Sequence, residues 1–456
     1  MPGPDRNLAC VEHGWASMTD QSLREGPGSV VTPVFVILPV LMLAVFTISV
    51  SFGILLPQLP ALIERLLGAD STPAQVARAT GLLTALYMLA LFICAPAWGW
   101  LSDRWGRRRV LLIGLAGFST TLLASTFFGT LAAIYAERAL SGVFAAAVTP
   151  VALAAVTDFS SGKATLGRRL TFVSMAGISG FLFGPTLGVA LSRMWGGTLG
   201  AAGALTVPLL ATGGLALLAA IAVAVSLPGA ILPAHRPDSP SVPAPTPGLV
   251  RQLLILGFVV SAGVGVFEVG LALRGKQELG LTPVQIAAMF TLCSLVMIVA
   301  QAAVFSPLVR PELTRWLLAP GFAILAAGLF AVPLAGNFAS MLVVTGAVAA
   351  SAGILSPILT YWIAAKAGHK SGAELGKQSS AASLGAAVGS AAGGLLYAVS
   401  WLPDAAFILM AGVTLLAVLV ALRMPGRLLP AADNSATRAR IRPEIAKPFA
   451  PKGNPE

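Results

Sequence analysis

Asp, Glu, Lys and Arg make up only 10% of the 456 residues, so the few that sit in patterned or apolar surroundings mark where chemistry can occur. The sharpest string is GWLSDRWGRRR, Gly99 to Arg109. Asp103 can sit at a helix end and accept hydrogen bonds from amides or from a nearby guanidinium. Gly99 and Gly106 permit close helix approach and a tight turn. Arg104, Arg107, Arg108 and Arg109 form a basic cluster, which taken alone is also what a simple topology signal looks like. A second string, YAERALSGVFAAA, puts Arg138 one or two turns inside an apolar run. An arginine at that depth costs a few kcal/mol and calls for a partner or a water-filled cavity. The neighbouring Glu137 points about 100° away on an ideal helix, so the spacing does not make it an obvious partner. The plain alternative is an arginine snorkelling to the surface. Glu268, in SAGVGVFEVGLAL, is the one acid well inside an apolar run of the second half. It suits a coupling proton or a cationic substrate, and the alternative is a structural partner or an outer-rim residue, since Arg274 and Lys276 follow closely. Finally, Gly180, Gly184 and Gly188 recur every four residues on one helix face, with Pro185 among them. Small residues at that spacing let two helices touch backbone to backbone, and the proline permits a bend.

These strings resemble motifs of the major facilitator superfamily. The loop fills every defining position of the family form G-x-L-x-D-R-x-G-R-R/K. The resemblance implies a conformational latch in which Asp103 and Arg107 work with an acid at the end of the fourth helix, here Asp158. The R-x-x-x-G spacing of Arg138 and Gly142 is similar to a second family motif tied to proton coupling. GISGFLFGPTLG resembles the antiporter motif G-x-x-x-G-P-x-x-G-G of the drug/proton antiporter branch, with Val189 in place of the last glycine. That likeness, and not the spacing, implies export.

The elements that position these residues follow from composition. With 56% apolar residues and a mean hydropathy of +0.86, against about 25% charged residues in soluble chains, an ordinary soluble enzyme and a disordered chain are both excluded. The net charge of +11 is too diluted to make a nucleic-acid face. Apolar runs of about 20 residues suit helices crossing a bilayer core. Twelve are expected, over 33–57, 77–101, 109–128, 130–157, 166–191, 199–227, 250–273, 283–306, 316–335, 338–364, 378–399 and 404–424. The runs lack the alternating pattern of barrel strands, so helices are the spanning option. Residues 1–30 are polar, and the first run is too long for a signal peptide. If the amino terminus is inside, inner loops hold 14 Lys/Arg and outer loops five, namely Arg65, Arg78, Arg193, Arg274 and Lys276. That bias places both termini in the cytoplasm, with the chain in the cell (inner) membrane.

Residues 228–248 contain seven prolines and read as an extended linker between six helices and six helices. The halves also look related. Arg104 and Arg109 align with Arg310 and Arg315 at an offset of 206, and the Gly180 triplet aligns with Gly385, Gly389 and Gly393 at 205. The second-half loop has Phe305, Val309 and Glu312 in place of both glycines and the Asp. The expected fold is an all-α membrane protein of twelve transmembrane helices in two pseudo-symmetric six-helix bundles. Its divisions are a tail at 1–32, a bundle at 33–227, a Pro-rich linker at 228–249, a bundle at 250–424 and a tail at 425–456. The expected function is secondary active, proton-coupled export of a small molecule by alternating access. Uptake by symport or facilitation on the same fold is one alternative, and a membrane scaffold or sensor is another. No enzyme activity, cofactor or metal is expected. There is no nucleotide-binding G-x-x-x-x-G-K-[ST] string. Cys10, Cys94 and Cys293 fit no metal spacing, and His13, His235 and His369 fall in tails or inner loops. The expected partners are the solute, protons and membrane lipid, with no nucleic acid, for a monomer.

Overall fold

The computed structural model describes residues 34–68, 70–127, 129–159, 163–228, 247–304, 311–367, 371–397, 399 and 404–428. Among these, all regular elements are helical. Helix α1 (Val34–Leu55) runs through a 3-10 turn (Leu56–Gln58) into α2 (Leu59–Leu67), and the three make one span, Val36–Leu67. The expected first run ended at residue 57; Pro57 and Pro60 interrupt the helix there but do not end the crossing. Then follow α3 (Pro73–Trp105), α4 (Arg107–Ser125), α5 (Leu131–Ala145) and α6 (Val148–Asp158). Helices α5 and α6 form a single span, Leu131–Asp158. The second half contains α8 (Pro247–Gln277), α9 (Pro283–Val304), a 3-10 segment (Pro311–Leu317), α10 (Leu318–Ala331), α11 (Phe338–Ala367), α12 (Ser371–Tyr397), α13 (Ala405–Leu422) and the short α14 (Met424–Leu428).

Between them lies α7, unbroken from Lys163 to Ser226, where two helices were expected. A straight helix would separate Arg169 from Ala224 by about 80 Å. Yet Arg169 Nη1 donates to Phe159 O, next to Asp158, while Ala224 O accepts from the Arg108 guanidinium on the same loop. The segment therefore bends back on itself and supplies two crossings, Arg169–Trp195 and Thr206–Ser226. Eleven stretches among the described residues are long and apolar enough to cross a membrane. Helix α4, 19 residues long and opening on three arginines, matches the roughly 30 Å core in length and completes the twelve. The protein is a multi-pass membrane protein.

The halves repeat each other in detail. A Cβ at Gly180 would lie 2.5 Å from Phe46 O, and one at Gly184 would lie 2.8 Å from the Gly53 backbone, so α7 touches α1 backbone to backbone. In the second half a Cβ at Gly385 would lie 2.3 Å from Phe258 O and one at Gly389 2.1 Å from Ala262 O, which sets α12 against α8 in the same way. A further repeat starts the second crossing of each half. Thr72 Oγ1 accepts from Gln75 N at 3.3 Å while Gln75 Oε1 accepts from Thr72 N at 2.9 Å; Thr282 and Gln285 repeat this capping box at 3.4 and 2.9 Å. The two tails up to residue 33 and from 429, linker residues 229–246, the second-half loop at 305–310, Cys10 and all three histidines lie outside the described residues.

The halves meet at the end of the bundle away from the Arg104–Arg109 loop. There Gly81 of α3 and Gly394 of α12 cross so closely that a Cβ on either would lie within 2.6 Å of the other's Cα. Lys276 pairs with Glu64, Gln277 Nε2 donates to Pro73 O at 3.3 Å, and the Thr186 and Thr291 hydroxyls are 2.8 Å apart.

Candidate functional site

The Arg-rich loop folds into a compact ionic joint. Gly106 ends α3 and starts α4 with φ +89°, a backbone conformation that favours glycine. This turn swings Arg107 back under the helix it has just left. Arg107 is 7% exposed and lies between two carboxylates: Nη1 is 2.5 Å from Asp103 Oδ1, and Nε is 3.0 Å from Asp158 Oδ2. Its Nη1 also donates to Ser102 Oγ at 2.5 Å. The ends of α3 and α6 are thereby tied through the first residue of α4. The sequence reading of Asp103, Arg107 and Asp158 as one unit is matched by this geometry. Arg108 donates to Ala224 O of α7, and Arg104 stacks over Trp100 at 4.8 Å from the ring centroid, so each has its own local contact. Gly99 departs from expectation. Among the described residues, a Cβ there would meet nothing within 4 Å, so none of them packs against that side of the glycine.

Arg138 is 3% exposed and does not snorkel. Its partner is Glu137, against the expectation from helical spacing. Nε and Nη2 of Arg138 donate to Oε2 and Oε1 of Glu137, both at 2.6 Å. The helix wheel fixes where the two Cβ atoms point, but the long arginine side chain can curl back, and burial of both groups rewards the bidentate pair. The guanidinium also lies 5.4 Å from the centroid of the Tyr87 ring. Glycine at 142 admits α3 at this level, since a Cβ there would lie 2.7 Å from Tyr87 O.

The glycine face of α7 does what its spacing predicts. Gly180 and Gly184 rest on α1, Gly188 abuts Gln58 and Ile54, and Pro185 is buried beside them. One turn of this face carries Phe181, which stacks on Phe52 of α1 at 5.8 Å; Phe52 in turn stacks on Tyr87 at 5.5 Å. This aromatic row, which the sequence reading did not identify, separates and lines two cavities between the halves.

The first cavity, about 270 Å³, is lined by Phe52, Tyr87, Met88, Phe181, Ser379 and Ser383 among others. The second, about 290 Å³, shares Phe52, Met88 and Phe181 and adds Ser261, Glu268, Met297 and Ser356. Both draw walls from the two halves. Glu268 is the one carboxylate among their lining residues. It is not taken up by the cations that follow it in sequence. Arg274 pairs with Glu278 at 2.8 Å and Asp404 at 3.0 Å, and Lys276 with Glu64. Such a chamber offers aromatic faces, thioethers, hydroxyls and one carboxylate, a set suited to aromatic or amphipathic solutes and to a positive charge. Among the described residues there is no cluster of three or more metal-ligating side chains.

Comparison with known proteins agrees with this geometry. The chain is 27% identical over 379 residues to Multidrug resistance protein 2 of Bacillus subtilis, covering 79% of this chain and 88% of that one. Over 146 residues, 32% of this chain and 35% of the other, it is 34% identical to the class C tetracycline resistance protein of Escherichia coli. Among solved structures, the human organic anion transporter MFSD10 superposes with a TM-score of 0.66 at 20% identity, covering 85% of this chain and 99% of that one. A D-xylose-proton symporter does so at 0.64 and 15% identity, covering 86% and 98%, which shows a shared fold. The family model described as Major Facilitator Superfamily matches residues 41–373 and 253–453. With two repeated six-helix halves around a shared chamber, the chain belongs to the Major Facilitator Superfamily.

Proposed function

We propose that this transporter exports small amphipathic molecules, aromatic and cationic ones foremost, in exchange for protons. The observation that supports this best is the pair of cavities between the halves, walled by Phe52, Tyr87 and Phe181 and holding Glu268 as their one carboxylate. A proton and a cationic solute can compete for that carboxylate, and a switch arises if each binds one conformation better. The relatives named for multidrug and tetracycline resistance support export, as does the likeness of Gly180, Gly184, Pro185 and Gly188 to an antiporter motif. In this reading Arg107 latches the first half through Asp103 and Asp158. The Glu137–Arg138 pair keeps a compensated charge beside Tyr87, next to the chamber. The basic excess supports a cytoplasmic position for the Gly99–Arg109 loop, the 228–249 linker and both termini, in a chain that we take to act as a monomer in the cell inner membrane. The halves then span 33–227 and 250–424.

Everted vesicles energised to an acidic lumen test the proposal. Adding a lipophilic cation should release protons from the lumen in wild type and not in Glu268→Gln. Release that persists unchanged in the variant would remove Glu268 from coupling, and solute-driven proton flow of the opposite sense would establish uptake instead.

A further inference from the structure

Three of the five cations that the sequence sets opposite the Gly99–Arg109 loop are brought to one place. Arg65 of α2, Arg193 of α7 and Lys276 of α8 line a cavity of about 360 Å³. Its remaining wall is largely apolar, with Pro57, Val189, Leu281, Val284 and Ile286. Gln58 also lines it, and its Nε2 is buried without a hydrogen-bond partner. The cavity sits where four crossings end or begin: Val36–Leu67, Arg169–Trp195, Gly248–Gln277 and Pro283–Val304. The ends of membrane-crossing helices lie, in general, where lipid headgroups meet acyl chains. Lys276 also pairs with Glu64, but the lining itself carries three cations and no carboxylate. Cations at the rim, an unpaired amide donor and an apolar wall leading into the span region complement a phosphate with a hydrocarbon tail.

We propose that this cavity holds an anionic phospholipid, its phosphate among Arg65, Arg193 and Lys276 and one acyl chain along Val189, Val284 and Ile286. The first half contributes Arg65 and Arg193 and the second half Lys276, so the lipid bridges the halves at the end where they already touch. It binds the conformation that is closed there more tightly than one in which the cations have parted, and so favours the closed state. The site does not depend on which solute the central chamber takes.

Native mass spectrometry of the full chain, released from detergent with phosphatidylglycerol or phosphatidylcholine, tests the inference. Wild type should retain phosphatidylglycerol in preference to phosphatidylcholine. The double variant Arg65→Gln/Arg193→Gln should lose that retention by roughly 25-fold, since each interfacial cation contributes roughly a fivefold share. Val284→Trp, which fills the apolar wall and leaves all three cations, should also lower it; this variant guards against misfolding of the first. Equal retention of the two lipids, or unchanged retention in both variants, would overturn the proposal. So would a thermal shift with millimolar inorganic phosphate as large as that with phosphatidylglycerol, which would assign the site to a soluble anion.

Discussion

Among the described residues the buried arginines are paired with carboxylates, whereas the half-buried Glu268 of the chamber forms no ion pair. Arg107, Arg138 and Arg274 are each nearly inaccessible and each held by carboxylates. Removing one partner of such a pair strands the other, at a cost of about 3–5 kcal/mol. Arg138→Ala should therefore lower the thermal stability of the purified protein, and Arg138→Ala/Glu137→Ala should recover most of the loss. A double variant no more stable than the single one would show that the pair is not coupled. Asp158→Asn keeps the size of the side chain but removes one of the two charges on Arg107. Transport should fall at least tenfold with normal membrane insertion, as read in vesicle assays; wild-type rates would dismiss the latch. Glu268 lines the chamber and forms no ion pair among the described residues, so Glu268→Gln should flatten the pH dependence of transport while leaving the fold intact. An unaltered profile would place the coupling proton elsewhere.

At the scale of elements, paired contacts between the first and fifth crossings of each half set the shape. Gly184 faces Gly53 with no room for a side chain, and Gly389 faces Ala262 likewise. Gly184→Val should force α7 off α1, separate Phe181 from Phe52, and abolish transport. A variant that melts and transports as wild type does would mean the close approach is dispensable. Both strings were legible in the sequence as four-residue glycine repeats, and so was their common offset. The capping boxes Thr72–Gln75 and Thr282–Gln285 were legible too, as Thr-Pro-x-Gln before each second crossing, but were not read as a repeat. The reversal within α7 was legible as two separate runs, 166–191 and 199–227, but its continuous helical backbone and the interruption at Leu56–Gln58 were not, because local propensity does not report where a helix bends or breaks to repack.

For the whole molecule, the halves touch at one end, through Gly81 with Gly394 and Lys276 with Glu64, and enclose the chamber between that contact and the Arg-rich loop. Alternating access requires this contact to part. Replacing Glu64 and Lys276 by cysteines and oxidising them should stop transport, with activity restored by a reductant. Transport by the cross-linked protein at its reduced rate would refute rocking of the halves about this contact. The topology has its own check: thiol labels at positions 104 and 240 should react from the same side of the membrane.

By itself the sequence determined the solvent, the number of crossings, the twofold repeat and the family strings, because each is written in local composition or short spacing, and lipid tolerates so few alternatives. Apart from Asp103, Arg107 and Asp158, which the family strings already implied as a group, only the tertiary structure decided which charges meet. Glu137 and Arg138 pair although the helix wheel separates them, Arg274 reaches Asp404 across 130 positions, and Arg65, Arg193 and Lys276 converge from three helices. Long side chains choose partners by the depth and crossing of helices, and those depend on the packing of the whole bundle rather than on neighbours in the chain.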